Sequence, residues 1–246
     1  MTTLLQTQGL TLHFGGVVAA DGIDFSLQAG ERLAVIGANG AGKTTFINMV
    51  TGYIKPSAGR VLFDGADITA LHPRQIVRRG IGRSFQLPQL FLEHTVRDSI
   101  ALAVAARGRR LALFTPLSHC VDADEIDHVL GVVGLADRAD ERCSHLPEGL
   151  RKLLDIAMAL VLRPKLLIMD EPTSGVAADE KHALMATIMA ALQERSVSSI
   201  FVEHDVDIVL QYATRVAAWI SGRIAADGTP AEVMADAEVR SVVLGH

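Results

Sequence analysis

The sequence predicts an α/β fold: a parallel sheet with helical crossovers, an antiparallel β subdomain toward the N-terminus and an inserted α-helical subdomain. Three observations predict it. Apolar runs of strand length, "RLAVIG" (32–37), "KLLIMD" (165–170) and "SSIFVEH" (198–204), alternate with helical stretches, the pattern of strands joined by crossovers. The first part of the chain reads as short strands and turns. From about residue 87 to 153 the β-branched runs thin out, and Ala, Leu, Arg and Asp dominate.

In order along the chain, "RLAVIG" is a continuous apolar run ending in glycine, as expected of a buried strand. "KTTFINMVTG" follows as a helix closed by Gly52. "KPSAGRVLFDGADI" carries a Pro-Ser-Ala-Gly turn and an Asp-Gly turn on either side of "RVLF", which is hairpin chemistry. "VRDSIALAVAARGRRLALF" (96–114) and "DEIDHVLGVVGLADRAD" (124–140) read as helices, the second capped by Asp122 or Asp124 with acids in its first turn. Beyond "KLLIMD", helices are expected over 179–195 and over 205–213 after Asp205, and "RVAAWISGRIAADG" (215–228) reads as a terminal hairpin.

Composition narrows the class. A chain of 246 residues is one large domain, or one domain with a sizeable insertion. With 49 % hydrophobic residues it buries a substantial core, which excludes a disordered chain. The net charge of −5 leaves no electrostatic footprint for nucleic acid. Cys120 and Cys143 make neither a metal pattern nor a disulfide framework and read as reduced thiols of a cytosolic protein. "MTTLLQTQGL" has no basic n-region and no long apolar stretch, so it is not read as a signal peptide. No apolar run reaches the roughly 18 residues that span a bilayer, so a membrane role requires a partner that supplies the span.

The chemistry begins at "GANGAGKT" (37–44), which fits G-x-x-x-x-G-K-[ST] after a predicted strand and before a predicted helix. Glycines let backbone N–H groups curl around an anion without Cβ clashes, and the helix N-terminus adds donors and a favourable dipole. Asn39, Gly40, Ala41, Gly42, Lys43, Thr44 and Thr45 are the expected phosphate-binding residues. Lys43 reaches the β- and γ-phosphates and the Thr44 hydroxyl ligates Mg²⁺. Such a site also needs a carboxylate at the end of a neighbouring strand. Asp170 ends "LLIMD" and suits Mg²⁺ or its water, and Glu171 beside it is placed to polarise water for attack on the γ-phosphate.

At this point a family resemblance appears. "MDEPTSGV" (169–176) resembles the Walker B and D-loop region of ATP-binding-cassette (ABC) ATPases, and the likeness runs along nearly the whole chain. "LHFGG" resembles the A-loop, where Phe14 would stack on adenine. "GRSFQLPQLF" (82–91) resembles the Q-loop, whose Gln86 would serve the metal site. "FVEHD" (201–205) resembles the switch segment, with His204 contacting the γ-phosphate. The resemblance implies a P-loop NTPase (RecA-like) core over 1–86 and 154–246, with a helical signature subdomain over 87–153. It implies MgATP hydrolysis with Glu171, His204 and Gln86 as catalytic residues and Thr44, Gln86 and Asp170 about the metal. It also implies a head-to-tail pair of cassettes, each ATP lying between one P-loop and the other chain's signature.

One segment departs from that family pattern. The usual signature, Leu-Ser-Gly-Gly-Gln, is matched by "HLPEGL" (145–150), where Pro147 replaces the serine, Glu148 the first glycine and Leu150 the glutamine. Proline offers no hydroxyl to a phosphate, although it suits an early helix position. Glu148 either points away from the phosphate or serves as a first-turn acid. The D-loop has Ala177 where a polar residue is frequent.

"FGGVVAADGIDFSL", "GIGRSFQLPQLF", "HTVRDSI", the extra helical length around 107–125 and the C-terminal "AEVRSVVLGH" resemble the ATPases of branched-chain (hydrophobic) amino acid importers. Those are bacterial systems with two ATPases, two permease chains and a periplasmic solute-binding protein. The implied place is the cytoplasmic face of the plasma membrane. Two other readings stand beside it: the ATPase of an exporter, such as one extracting lipopolysaccharide, whose cassettes share much of the pattern, and a soluble cassette acting on ribosomes or DNA. The soluble kind usually carries two cassettes or long coiled-coil insertions that are not seen here, and the acidic charge disfavours it.

Overall fold

The computed structural model describes residues 2–108 and 121–242. The chain packs into two compact units, residues 1–81 with 198–246 and residues 82–197.

The first unit holds two sheets. β1 (Thr3–Phe14) and β2 (Val17–Gln28) form a long antiparallel hairpin. β4 (Ala58–Phe63) pairs with the other edge of β1, and β5 (Ala66–Asp67) closes that sheet. Asp64 and Gly65 between them both have positive φ (51° and 75°), as the Asp-Gly hairpin turn requires. In the second sheet, β3 (Arg32–Gly37) lies parallel to both β8 (Ser198–Val202) and β9 (Arg215–Ile220). β10 (Arg223–Gly228) returns antiparallel on β9, the expected terminal hairpin. β8 is buried at every position and β3 from its second residue on, which is why both read as unbroken apolar runs.

Helices α1 (Lys43–Val50), α2 (Pro73–Arg79), α7 (Val206–Tyr212), α8 (Pro230–Ala235) and α9 (Ala237–Val242) complete this unit. α1 ends at Thr51 and Gly52, the latter left-handed at φ 77°, so the stop signal acts where it was read. Phe46 of α1 packs edge-on against Phe25 of β2, with ring centroids 5.5 Å apart, and against Trp219 of β9 at 5.1 Å. All three rings are buried, at 5 % exposure or less.

The second unit takes in β6 (Ile81–Ser84) from its second residue on and holds α3 (Val96–Gly108), α4 (Ala123–Val132), α5 (Glu148–Val161), β7 (Leu166–Asp170) and α6 (Ala178–Glu194). Asp122 caps α4, its carboxylate accepting from the Asp124 N–H at 3.1 Å. α4 is shorter than the expected 124–140 helix. It stops at Val132, Gly134 turns left-handed at φ 68°, and only a short 3₁₀ turn follows at Ala136–Arg138. The amphipathic pattern continues through Gly134, but the glycine ends the helix. α3 matches the start of the expected 96–114 helix, and the stretch from 109 on lies outside the described residues, as do Cys120 and the last four residues.

Candidate active site

The first unit carries the phosphate loop. Gly37, at the end of β3, faces the Trp219 backbone so closely that a Cβ would lie 2.5 Å from the Trp219 carbonyl oxygen. Gly42, at φ 103°, likewise leaves a Cβ only 2.5 Å from the Ala19 carbonyl oxygen. The Gly222 N–H donates to the Ala41 carbonyl at 2.9 Å, tying the loop to the β9–β10 turn. The backbone is therefore pressed against its neighbours at two points where only glycine fits. Lys43 is buried and folds back over the loop, its Nζ donating to the carbonyls of Gly37 (2.6 Å) and Ala38 (3.0 Å). Thr44 and Thr45 sit in the first turn of α1, where backbone N–H groups have no helical carbonyl to bond and the dipole favours an anion.

His204 is the second residue past β8 and is exposed, with its backbone N–H 3.3 Å from the Glu203 carboxylate. Gly37, Glu203 and His204 share the wall of a small hollow of about 30 Å³, so the structure brings the switch histidine to the start of the phosphate loop. Phe14 stands at the tip of the β1–β2 hairpin, opposite Val17 and 51 % exposed, with its ring open to a partner.

The second unit carries the acidic half of the expected set. β7 is buried along its whole length and delivers Asp170 at its end, 7 % exposed. Arg83 Nη2 lies 3.5 Å from Asp170 Oδ2. Glu171 follows in the left-handed region at φ 51°, a conformation that costs a non-glycine residue about 1–3 kcal/mol and needs support from its surroundings. Two side chains give that support. Gln86 Nε2 donates to Glu171 Oε2 at 2.8 Å, and Lys152 Nζ, buried in α5, donates to the Glu171 carbonyl at 2.7 Å.

Gln86 is itself held by its neighbours. The Phe85 ring lies under the Arg83 guanidinium, 4.8 Å from the ring centroid. The Asp155 carboxylate accepts from the N–H groups of Phe85 (3.2 Å) and Gln89 (3.4 Å), one on each side of Gln86. Burial pushes the Asp155 carboxyl up to about 6, and the two N–H donors oppose that rise. Lys152, Asp155 and Arg83 were not singled out in the sequence. A signal was present: Lys152 and Asp155 stand three residues apart among the apolar residues of "KLLDIAMAL".

The signature segment also takes a definite form. Pro147 is the residue before α5, at φ −54° and ψ 156°, one place earlier than the first helical position. Glu148 opens the helix, and its carboxylate folds over Gly175, where a Cβ would lie 2.6 Å from the Glu148 Cδ. Of the two orientations expected for Glu148, the structure has it turned onto the D-loop glycine while also occupying the acidic first-turn position.

The sequence pattern of the ABC transporter family matches residues 20–174. The chain belongs to that family. Its relatives extend the match to almost the full length. The cassette is 35 % identical to the probable branched-chain amino acid transport ATP-binding protein LivG of Archaeoglobus fulgidus, over 98 % of this chain and 95 % of that one. It is 32 % identical to the high-affinity branched-chain amino acid transport ATP-binding protein BraF of Pseudomonas aeruginosa, over 99 % and 98 %. Among solved structures it resembles an ATP-binding cassette of an ABC transporter in its ADP conformation, with a TM-score of 0.86, 30 % identity and full coverage of both chains. It also resembles cbiO1 of Clostridium perfringens, part of the cbiONQ transporter complex, with a TM-score of 0.83 at 30 % identity, over 98 % of this chain and 94 % of that one. The expected α/β cassette fold is thereby established, and the cassette is a nucleotide-binding ATPase subunit. Among the described residues no helix is long and apolar enough to cross a membrane.

Proposed function

We propose that this cassette hydrolyses MgATP to power an importer of branched-chain or other hydrophobic amino acids, or of related small solutes. One observation carries the reading. Relatives at 31–35 % identity, covering 98–99 % of this chain, are named ATP-binding proteins of branched-chain amino acid transport. Its partners are a second cassette, the same or related, two permease chains and, indirectly, a periplasmic solute-binding protein. Its place is the cytoplasmic face of a bacterial plasma membrane. The ATP-binding core spans 1–86 and 154–246, and the helical signature subdomain spans 87–153.

The residues divide the chemistry as follows. Phe14 stacks on adenine, and the loop amides from Asn39 to Thr45 and the Lys43 ammonium hold the phosphates. Thr44 and Asp170 are the oxygen donors that would hold Mg²⁺. They fit that ion, which takes one or two protein oxygens and fills its remaining places with water and phosphate. Among the described residues no group of three or more His, Cys, Asp or Glu side chains forms a ready-made metal cage. Bound Mg²⁺ supplies charge neutralisation at the phosphates. Glu171 takes the proton of the attacking water, His204 donates to the γ-phosphate, and Gln86 orients Glu171 and the metal's waters.

The test is made in cells lacking the gene. Wild-type protein is expected to restore uptake of labelled leucine, isoleucine or valine. Glu171→Gln is expected to bind ATP normally but to lose turnover by about 10²- to 10⁴-fold, and uptake with it. Near-normal hydrolysis by that variant would sink the assignment of Glu171 as base. Unchanged uptake of all three amino acids in the deletion strain would sink branched-chain amino acids as the solute.

A further inference from the structure

The catalytic half of the second unit has a support that the family motifs do not name. α5, the helix after the altered signature, sends two charged side chains from positions three apart to two separate loops. Lys152 donates to the main chain of Glu171 at 2.7 Å. Asp155 accepts from the main chain on both sides of Gln86, at Phe85 (3.2 Å) and Gln89 (3.4 Å). The two loops then meet through their own side chains, Gln86 Nε2 to Glu171 Oε2 at 2.8 Å. The result is a closed circuit: helix to Glu171, Glu171 to Gln86, and the Gln86 segment back to the same helix.

Cost and geometry both mark this circuit as more than packing. Lys152 is 3 % exposed, and burying an ammonium is unfavourable unless acceptors surround it. An apolar side chain would fill the same volume on this helix without that penalty. Glu171 stands in a backbone conformation that L-residues avoid, and its carbonyl is fixed by Lys152 at that residue. A carboxylate accepting two N–H groups, one per oxygen, fixes the direction of the chain between them better than one hydrogen bond does.

We propose that Lys152 and Asp155 are a paired clamp of positioning residues: Lys152 sets the backbone of Glu171, Asp155 sets the segment that carries Gln86, and α5 thereby holds the two side chains in register for water activation. The clamp links the signature helix to the placement of the base, so a displacement of α5 reaches both loops at once. The inference rests on the reading of Glu171 as the base.

The test uses the full chain, together with whatever chains co-purify with it. Lys152→Met keeps the apolar stem and removes the donor. Asp155→Asn keeps the shape but replaces one acceptor oxygen with an NH₂ that opposes an N–H. Each variant is expected to lower kcat by about tenfold or more while the affinity for ATP changes by less than about twofold. Lys152→Arg, which still donates, is expected to recover most of the rate. In the Glu171→Gln background, adding Lys152→Met is expected to cause no further loss, because both act on one group. Amide exchange over 85–89 is expected to quicken in Asp155→Asn, a readout independent of turnover.

Wild-type kcat in both single variants would overturn the clamp and leave Glu171 as base untouched. Equal loss of kcat and ATP affinity, or a rate lost in Lys152→Met that Lys152→Arg does not recover, would also overturn it, as a structural role. Turnover retained by Glu171→Gln alone would remove the base assignment, and the clamp with it.

Discussion

At the scale of single residues, the site is built where side chains are forbidden as much as where they act. Gly42 is the clearest case, because its φ of 103° and the Ala19 carbonyl 2.5 Å from a would-be Cβ exclude alanine on two separate grounds. Gly42→Ala is expected to cost about 1–3 kcal/mol of stability, roughly 2–10 °C in melting temperature for a chain of this size. Affinity for ATP is expected to fall with it, since the loop must move off its support. Thermal melts and equilibrium nucleotide titration check this, and an unchanged melt would show that the loop yields without strain. This residue and Lys43 were legible in the sequence because the phosphate loop has fixed spacing, and Asp170 and Glu171 because they close an apolar run of strand length. Lys152 and Asp155 were not, for a physical reason. Their partners stand 19 and about 70 residues away, and a local pattern specifies a residue's face but not what lies opposite it.

At the scale of elements, strands and caps were more legible than helix lengths. The apolar runs at β3, β7 and β8 and the turn at Asp64–Gly65 follow from burial and turn chemistry confined to a few residues. The overlong reading of α4 shows the opposite case, where one glycine outweighed a periodicity that continued past it. What joins α3, α4 and α5 is an ion-pair knot that the helical pattern did not reveal. Arg107, near the end of α3, makes two 2.7 Å bonds to Glu125 of α4 and a third, at 3.0 Å, to the Val161 carbonyl at the end of α5. Arg163 adds a bond to Glu125 at 3.0 Å. Arg107 first, then Arg163, hold the Glu125 carboxyl down to about 2, well below its ordinary 4.5. A carboxyl lowered in the folded state stabilises the fold fully above its unfolded value and loses that contribution as the pH falls through the folded one. Glu125→Gln is therefore expected to lower stability at pH 7 by about 1–3 kcal/mol. The gap between variant and wild type should close as the pH falls from 4.5 toward 2. Urea midpoints at pH 7, 4 and 2.5 measure it, and a gap independent of pH would assign the loss to packing instead.

At the scale of the whole molecule, the proposed pairing turns on how far one cassette completes the site of another, and Pro147 stands at the signature position of that pairing. The family signature places a serine hydroxyl at this position, and proline gives neither that hydroxyl nor an N–H. The start of α5 is nonetheless intact: the helix begins at Glu148, directly after Pro147, with its first-turn amides still available. On the proposed pairing of two cassettes, the change removes one phosphate contact and leaves the helix terminus. Serine at this position would do two separable things. As a cap its oxygen accepts from the first turn, adding about 0.5–2 kcal/mol to stability. As a signature residue its O–H donates to a phosphate on a second chain, a charged hydrogen bond worth about 1.5–3 kcal/mol when fully formed. The isolated wild-type chain is expected to hydrolyse ATP weakly, and Pro147→Ser to raise its rate by about 10- to 100-fold and make it cooperative in protein concentration. A capping effect alone raises the melting temperature and leaves the rate where it was, so the two measurements together separate helix from interface. Vigorous, cooperative hydrolysis by the wild-type chain paired with itself would show that Pro147 is neutral. A rate that rises only when a second, different cassette is added, with or without Pro147→Ser, would place the intact signature on that partner and make this chain the half of the pair that holds ATP for the other to complete.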